Sequence, residues 1–497
     1  VNTNLGSLIL KVYRSQMLHF SVKLQSLFMI KLLTTVTELM PEACLYAVLY
    51  AVLMIMIIFV PIYFYLSRRR YVFTRTLATS KHCSDILVTL TKDFSGRYPI
   101  PWTHLTKFQV AKAPYSTPAV SLKYDVIKVS AHDNHDDFFH AAVTMNFMDL
   151  VKDQMCAGSS INIAVLLLPF GATHYSRPVR RLIYEIEKRG IPTICQLDRN
   201  TAGYEFPYNC EPRRNSYLDH HDAYLSMEFL AEALCMIFAT RERDVSSVDL
   251  NQKLLLEYAA LRSDPFPAQQ QKSGCGEPLP LQLRFHFVGY SLGAMRISHI
   301  LADSDMDRLL ADIVQRVGQR YPSIKLSMVV ASASCGYATF DVQAPLNHPK
   351  YVQRMLAKHL IKEFNENADK RAYLIKHLAE KVANPVETLE RAISSGLLSD
   401  LDAHLSCALY EFDTYADYYK ELIPTGKIHL FHPSIPVLFL NTADDFITGK
   451  NVSFDELKEH PQAITIIINK GGHLGTILRN GEDVSSKILA NWIDHLR

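Results

Sequence analysis

The sequence predicts an α/β fold: a mostly parallel sheet with helices on both faces, a helical insertion late in the chain, and one membrane-spanning helix near its start. Three observations predict it. Continuous apolar runs of strand length alternate with helix-like stretches, as strands buried on both faces of a parallel sheet require. From about Phe340 to Lys427 the pattern changes to helices alone. Ala43 to Leu66 (ACLYAVLYAVLMIMIIFVPIYFYL) carries no charge, and at 1.5 Å per residue it is long enough to cross a hydrocarbon core.

The bulk numbers narrow the function classes. Lys+Arg 52 against Asp+Glu 50 in 497 residues leaves no basic excess, so nothing asks for nucleic acid as a partner. The nine cysteines are scattered and form no C-x-x-C pair, which reads as buried free thiols rather than a disulfide framework or a zinc site. No cofactor or metal is implied. Asn451-Val452-Ser453 is a lone glycosylation pattern.

Taken in order, residues 1–42 form an N-terminal tail and residues 43–66 the transmembrane helix, with Tyr46, Tyr50, Tyr63 and Tyr65 suited to the interfaces. Arg68, Arg69, Arg70 and Arg75 follow the span and only Lys31 lies close before it. A single-pass protein is expected, with the C-terminal domain on the cytosolic side. Residues 67–118 read as a connecting segment. The core then opens with residues 119–339. Ala119 to Ser130 and Ala141 to Leu150 read as a strand pair around the polar run His132 to Asp137. That run is rich enough in His and Asp to raise a metal site, but reads better as a solvated turn.

Ile161 to Leu168 is a buried strand, Pro178 to Arg189 a helix closed by Gly190, and Ile191 to Leu197 the next strand. Asp222 to Thr240 is helical, and Asp219 to Asp222 reads as that helix's start. Residues 263–280, rich in Pro, Gly and Gln, form a surface loop. Leu283 to Val288 and Lys325 to Ala333 are further strands. Residues 340–427 form a helical cap insertion of the kind that covers a site. The core resumes over residues 428–497 with strands Pro436 to Asn441 and Ala463 to Asn469 and a closing helix from Asp483.

Gly289-Tyr290-Ser291-Leu292-Gly293 has the form G-x-S-x-G between a strand and a helix. This is the setting of a nucleophile elbow, in which a tight turn lifts a serine hydroxyl above the sheet at a helix N-terminus. The α/β-hydrolase fold carries such an elbow, followed in chain order by an acid and a histidine. Ser291 is the expected nucleophile, because a serine needs a base to take its proton and an acid to orient that base. Asp445, just after the strand ending at Asn441, is the expected acid, with Asp444 as the alternative. His473, flanked by glycines after the last strand, is the expected base. His286 and His299 read as packing or surface residues, and His174 lies near the expected mouth. An oxyanion hole needs two backbone N–H groups. Leu292, after the nucleophile, supplies one, and Phe170 in the loop after Leu168 the other, with Gly171 as the alternative.

The segments LLPFGATHYSRPVRRL (167–182), VGYSLGA (288–294), SASCGYATFD (332–341), EFDTYADYYKEL (411–422), PVLFLNTADDFI (436–447) and KGGHLG (470–475) together resemble the abhydrolase domain-containing proteins of types one to three. The likeness is strongest to type two, a membrane monoacylglycerol lipase, and covers roughly residues 95–480. It implies hydrolysis of monoacylglycerols and related lipid esters at a bilayer. Members like type two are also linked to steroid-stimulated activity, although no residue here marks a steroid site. The chain departs from the family at Pro169-Phe170, where Pro-Gly is common, and at Asp445-Phe446, where Asp-Pro is common. A phospholipase or an acyltransferase could use the same three residues, and His132 to Asp137 matches H-x-x-x-x-D. A non-catalytic lipid receptor on the same fold is a third reading.

Overall fold

The computed structural model describes residues 50–58 (except 52), 73–92, 120–199 (except 132 and 133), 204–240, 252–261, 278–448 and 454–497 (except 475 and 478–481). The chain divides into two units, Val1–Arg68 and Arg69–Arg497. In the first, residues 50, 51 and 53–58 are helical and exposed. Among the described residues no helix is long and apolar enough to cross a membrane, and most of the expected span at 43–66 lies outside them. So do the glycosylation pattern at Asn451 and most of the loop at 263–280.

Among the described residues, the second unit is built on a nine-stranded sheet. In chain order its strands are β1 (Phe73–Ala78), β2 (Tyr124–Ser130), β3 (Phe138–Thr144), β4 (Ser160–Leu167), β5 (Thr193–Gln196), β6 (Leu279–Tyr290), β7 (Ile324–Gly336), β8 (Val437–Thr442) and β9 (Ala463–Ile468). Across the sheet they run β1-β9-β8-β7-β6-β4-β5-β3-β2. The strands from β9 to β5 are parallel, while β1, β3 and β2 pair antiparallel at the two edges. This is the mixed, mostly parallel sheet expected of an α/β-hydrolase fold.

Alternation within the strands feeds two cores. Ile161, Ile163, Val165 and Leu167 of β4 face one, and Ala164 and Leu166 face the other. The first is covered by α2 (Phe147–Ala157), α4 (His221–Thr240), α5 (Gln252–Leu261), α6 (Leu292–Leu301) and α7 (Met306–Arg320). The second is covered by α1 (Lys81–Thr91), α3 (Arg177–Glu187) and α12 (Val484–Leu496). Trp492 of α12 is fully buried and its indole N–H donates to the Ala333 carbonyl at 3.1 Å, so the closing helix is bolted to β7.

The insertion between β7 and β8 is helical. Its longer helices are α8 (Lys350–Glu366), α9 (Ala368–Ala379), α10 (Pro385–Ser394) and α11 (Tyr415–Leu422). The first three enclose an apolar core of their own, to which Leu374, Leu378, Leu389 and, from the following short helices, Leu405 contribute, while α11 packs with Leu292.

Two expectations need correction. The segment 67–118 is more than a connector: Phe73–Ala78 adds an antiparallel strand beside β9, and Lys81–Thr91 is a helix capped by the Ser80 hydroxyl at the Cys83 N–H. An edge strand can spare the long apolar run of a central one, so FTRTLA gives little signal. The second strand of the hairpin stops at Thr144 instead of continuing to Leu150, and Phe147 opens a helix. Asn146, at that helix's N-cap, is the residue type that favours such a start.

Candidate active site

The parallel strands bring their carboxyl ends to one edge. The chain leaves β4 to form β5 on one side and then crosses back to form β6 on the other. Ligand crevices in open α/β sheets open at such a switch point. Phe170 follows β4 and Ser291 follows β6, so they flank it. Asp445 and His473 follow β8 and β9 at the same edge.

The elbow explains its own glycines. Ser291 holds φ 54°, ψ −116°, a backbone conformation rare for a side-chain-bearing residue. A Cβ on Gly289 would come within 2.6 Å of the Gly293 carbonyl carbon, and one on Gly293 within 2.2 Å of the Leu167 carbonyl oxygen. The turn closes only with glycine at both positions. The Ser291 N–H donates to the Gly336 carbonyl at 2.8 Å, so it is already used. The N–H of Leu292, first residue of α6, belongs to the helix's opening turn, where N–H groups have no partner within the helix.

Asp445 is fully buried. It accepts from the Ile447 and Thr448 N–H groups at 2.9 and 3.2 Å through Oδ1, and from Nδ1 of His473 at 2.8 Å through Oδ2. Burial works against its ionisation, but the His473 charge and these hydrogen bonds hold the carboxyl below its ordinary range. Asp444 does something else. Its Oδ1 accepts the N–H groups of Gly471 and Gly472 at 3.0 and 2.9 Å, fixing the loop that carries His473. Gly472 and Leu474 on either side of the histidine have φ 55° and 63°.

The structure thus pairs two of the three expected residues. No hydrogen bond joins His473 to Ser291 among the described residues. They are linked through their neighbours instead: the Tyr337 ring lies 5.5 Å from the His473 ring, and Tyr337 follows the Gly336 that holds the Ser291 amide.

Ser291 and Leu292 open onto a pocket of about 160 Å3 whose far walls come from the cap. Phe170 lines it too and sets its ring edge-on to Tyr217 at 5.6 Å. The positive φ of this loop falls on Gly171 (65°), over which α8 lays the His359 ring at 3.7 Å from a would-be Cβ. His174 is buried away from this pocket, against Tyr124 and Tyr175, and burial pulls its pKa down to about 4. His286 and His299 are also buried, bonded to Ser332 and Asn162 and to the Leu422 carbonyl. Asp137, at the end of the polar run, pairs with the buried Arg199, as does Asp222.

The sequence reading missed His348. This cap histidine lines the pocket, its Nε2–H donates to the Ile447 carbonyl at 2.7 Å, and its Nδ1 has no partner among the described residues. Burial holds its pKa below the ordinary value. No spacing rule marks it, because it reaches the site through the cap.

No family model matches the chain. It is 24% identical over 201 residues to an abhydrolase domain-containing protein of Dictyostelium discoideum, covering 40% of this chain and 44% of that protein. It is 24% identical over 194 residues to a monoacylglycerol lipase of Saccharomyces cerevisiae, covering 39% of this chain and 38% of the relative. The chain thus spans about two fifths of the length of these relatives. Among solved structures, an esterase of Pyrococcus furiosus matches at 9% identity and TM-score 0.33 over 72% of this chain and 89% of its own. An α/β-fold hydrolase of Bacillus anthracis matches at 10% and 0.35 over 74% and 99%. In sequence, the chain resembles the abhydrolase domain-containing proteins.

Proposed function

We propose that this chain is a serine ester hydrolase that cleaves acylglycerols, with Ser291, His473 and Asp445 as its triad. One observation carries the reading: a serine in a strained elbow, at the mouth of an apolar pocket, with a buried Asp–His pair at the same sheet edge. Ser291 Oγ attacks the ester carbonyl carbon as His473 Nε2 takes its proton. The tetrahedral oxygen receives the N–H groups of Leu292 and Phe170. Collapse breaks the bond to the alcohol, which leaves with the proton from His473. Water then attacks the acyl-enzyme by the same route and releases the fatty acid. Asp445 keeps the imidazole oriented and stabilises its charged form.

A lipid substrate fits the pocket wall, where Leu356, Leu360, Phe364 and Leu374 of the cap offer an acyl chain an apolar bed. The similarity to a yeast monoacylglycerol lipase supports the same substrate class. The uncharged stretch 43–66 would hold the site at a bilayer. The test is release of fatty acid by the full chain from mono-, di- and triacylglycerols and phospholipids of one acyl chain. The fastest release is expected from the monoacylglycerol. Release from none, or from phospholipid alone, contradicts the reading.

A further inference from the structure

The cap contains one π-helical turn among the described residues, Asp402–Ser406, set between the short helices Leu398–Leu401 and Cys407–Tyr410. Such turns are frequent at functional sites. Here Asp402 and Ser406 line the pocket beside Leu401 and Leu405. Asp402 is only 6% exposed. The Ser406 hydroxyl donates to Oδ1 at 2.9 Å and the Tyr419 hydroxyl to Oδ2 at 2.5 Å. A carboxylate offers about four acceptor positions, so these two donors leave it unsaturated. No Lys, Arg or His forms an ion pair with it among the described residues. A buried carboxyl without a counter-ion is costly to keep, and burial raises its pKa to about 6.

Its surroundings tie this group to the nucleophile. Tyr418 and Tyr419 pack in one cluster with Leu292, and Tyr217 lies against Phe170. Burial keeps all three phenols neutral, so they remain hydrogen-bond donors. Besides its leucine and aromatic wall, the pocket therefore carries a polar patch around Asp402 whose Tyr419 packs with Leu292 of the elbow.

We propose that Asp402, held by Tyr419 and Ser406, is the subsite for free hydroxyls on the alcohol part of the ester, and that it selects polyol monoesters over esters of simple alcohols. This rests on the ester-hydrolase reading above. A glycerol hydroxyl can donate to a free acceptor position on Asp402. An alkyl group leaves that position buried and unmet, and sites built to bond a hydroxyl reject analogues that lack it.

The experiment measures kcat/KM for a 1-monoacylglycerol and for the ethyl ester of the same fatty acid, on wild type, Asp402→Asn and Tyr419→Phe. Wild type is expected to prefer the monoacylglycerol. Asp402→Asn, which keeps the shape but removes acceptor capacity, is expected to cut that preference about tenfold or more, and Tyr419→Phe by less in the same direction. A preference within twofold of wild type in both variants overturns the subsite. Should Asp402→Asn not fold, the ratio for Tyr419→Phe decides. A wild type that hydrolyses both esters without preference overturns only this inference. A wild type that hydrolyses neither overturns the hydrolase reading beneath it.

Discussion

Nδ1 of His473 lies 2.8 Å from Oδ2 of Asp445, and that carboxyl is fully buried. The pair engages Nδ1 and leaves Nε2 as the imidazole nitrogen that Asp445 does not hold. Asp445→Asn replaces an acceptor with an amide whose NH2 favours the wrong tautomer. We expect kcat to fall by roughly 10⁴-fold with the fold intact, checked by ester hydrolysis beside circular dichroism.

Asp444 accepts two N–H groups from the histidine loop, so Asp444→Ala should loosen His473 without removing its partner. A loss on the order of 10- to 100-fold in kcat is expected, from about 1–3 kcal/mol of unmet hydrogen bonding. A loss as deep as that of Asp445→Asn would reverse the two assignments.

Gly293 presses against the Leu167 carbonyl, leaving no room for a methyl group. Gly293→Ala should destabilise the protein by on the order of 3 kcal/mol, read as a lower melting temperature, and lower activity with it. Unchanged stability would mean the turn is looser than described.

The elbow and the histidine loop share a buried anchor in Asp483. It accepts from the Ser485 and Ser486 hydroxyls at 2.7 Å each and from Thr476 at 3.2 Å. Ser486 meets the Tyr290 hydroxyl at 3.0 Å, and Thr476 the Tyr337 hydroxyl at 3.1 Å. Tyr290→Phe should cost about 1 kcal/mol. Asp483→Asn should cost more, because its amide donor faces hydroxyl donors. Denaturant unfolding of both variants checks the order.

Burial raises the Glu187 pKa to about 7, against the lowering effect of hydrogen bonds from Thr144 and Asn146. A raised acid pKa means that the folded state holds the proton more tightly than the unfolded chain. Its contribution to stability is full below about pH 4.5 and is lost as pH rises through about 7. Glu187→Gln should therefore flatten the fall in melting temperature between pH 5 and pH 8. An unchanged slope would assign that pH dependence elsewhere.

The elbow and the two late strand ends were legible because each is written locally: a G-x-S-x-G between a strand and a helix, an Asp pair after PVLFLN, a His between glycines after AITIIIN. Asp445 and Asp444 are both engaged, the first by the His473 ring and the second by the N–H groups of the histidine loop. What was missed depends on contacts between distant segments. β1 is a short edge strand recognised only through its pairing with β9. His348 and Asp402 reach the pocket through the packing of the cap, and a π turn shifts the register that a 3.6-residue period would read.

Covalent labelling with a fluorophosphonate shows whether Ser291 is an activated nucleophile, since such probes capture an activated serine. Wild type is expected to be labelled on Ser291, Ser291→Ala to remain unlabelled, and His473→Ala to be labelled far more slowly. Folded wild type that resists the probe, or Ser291→Ala that takes it up undiminished, would rule out Ser291 as the nucleophile.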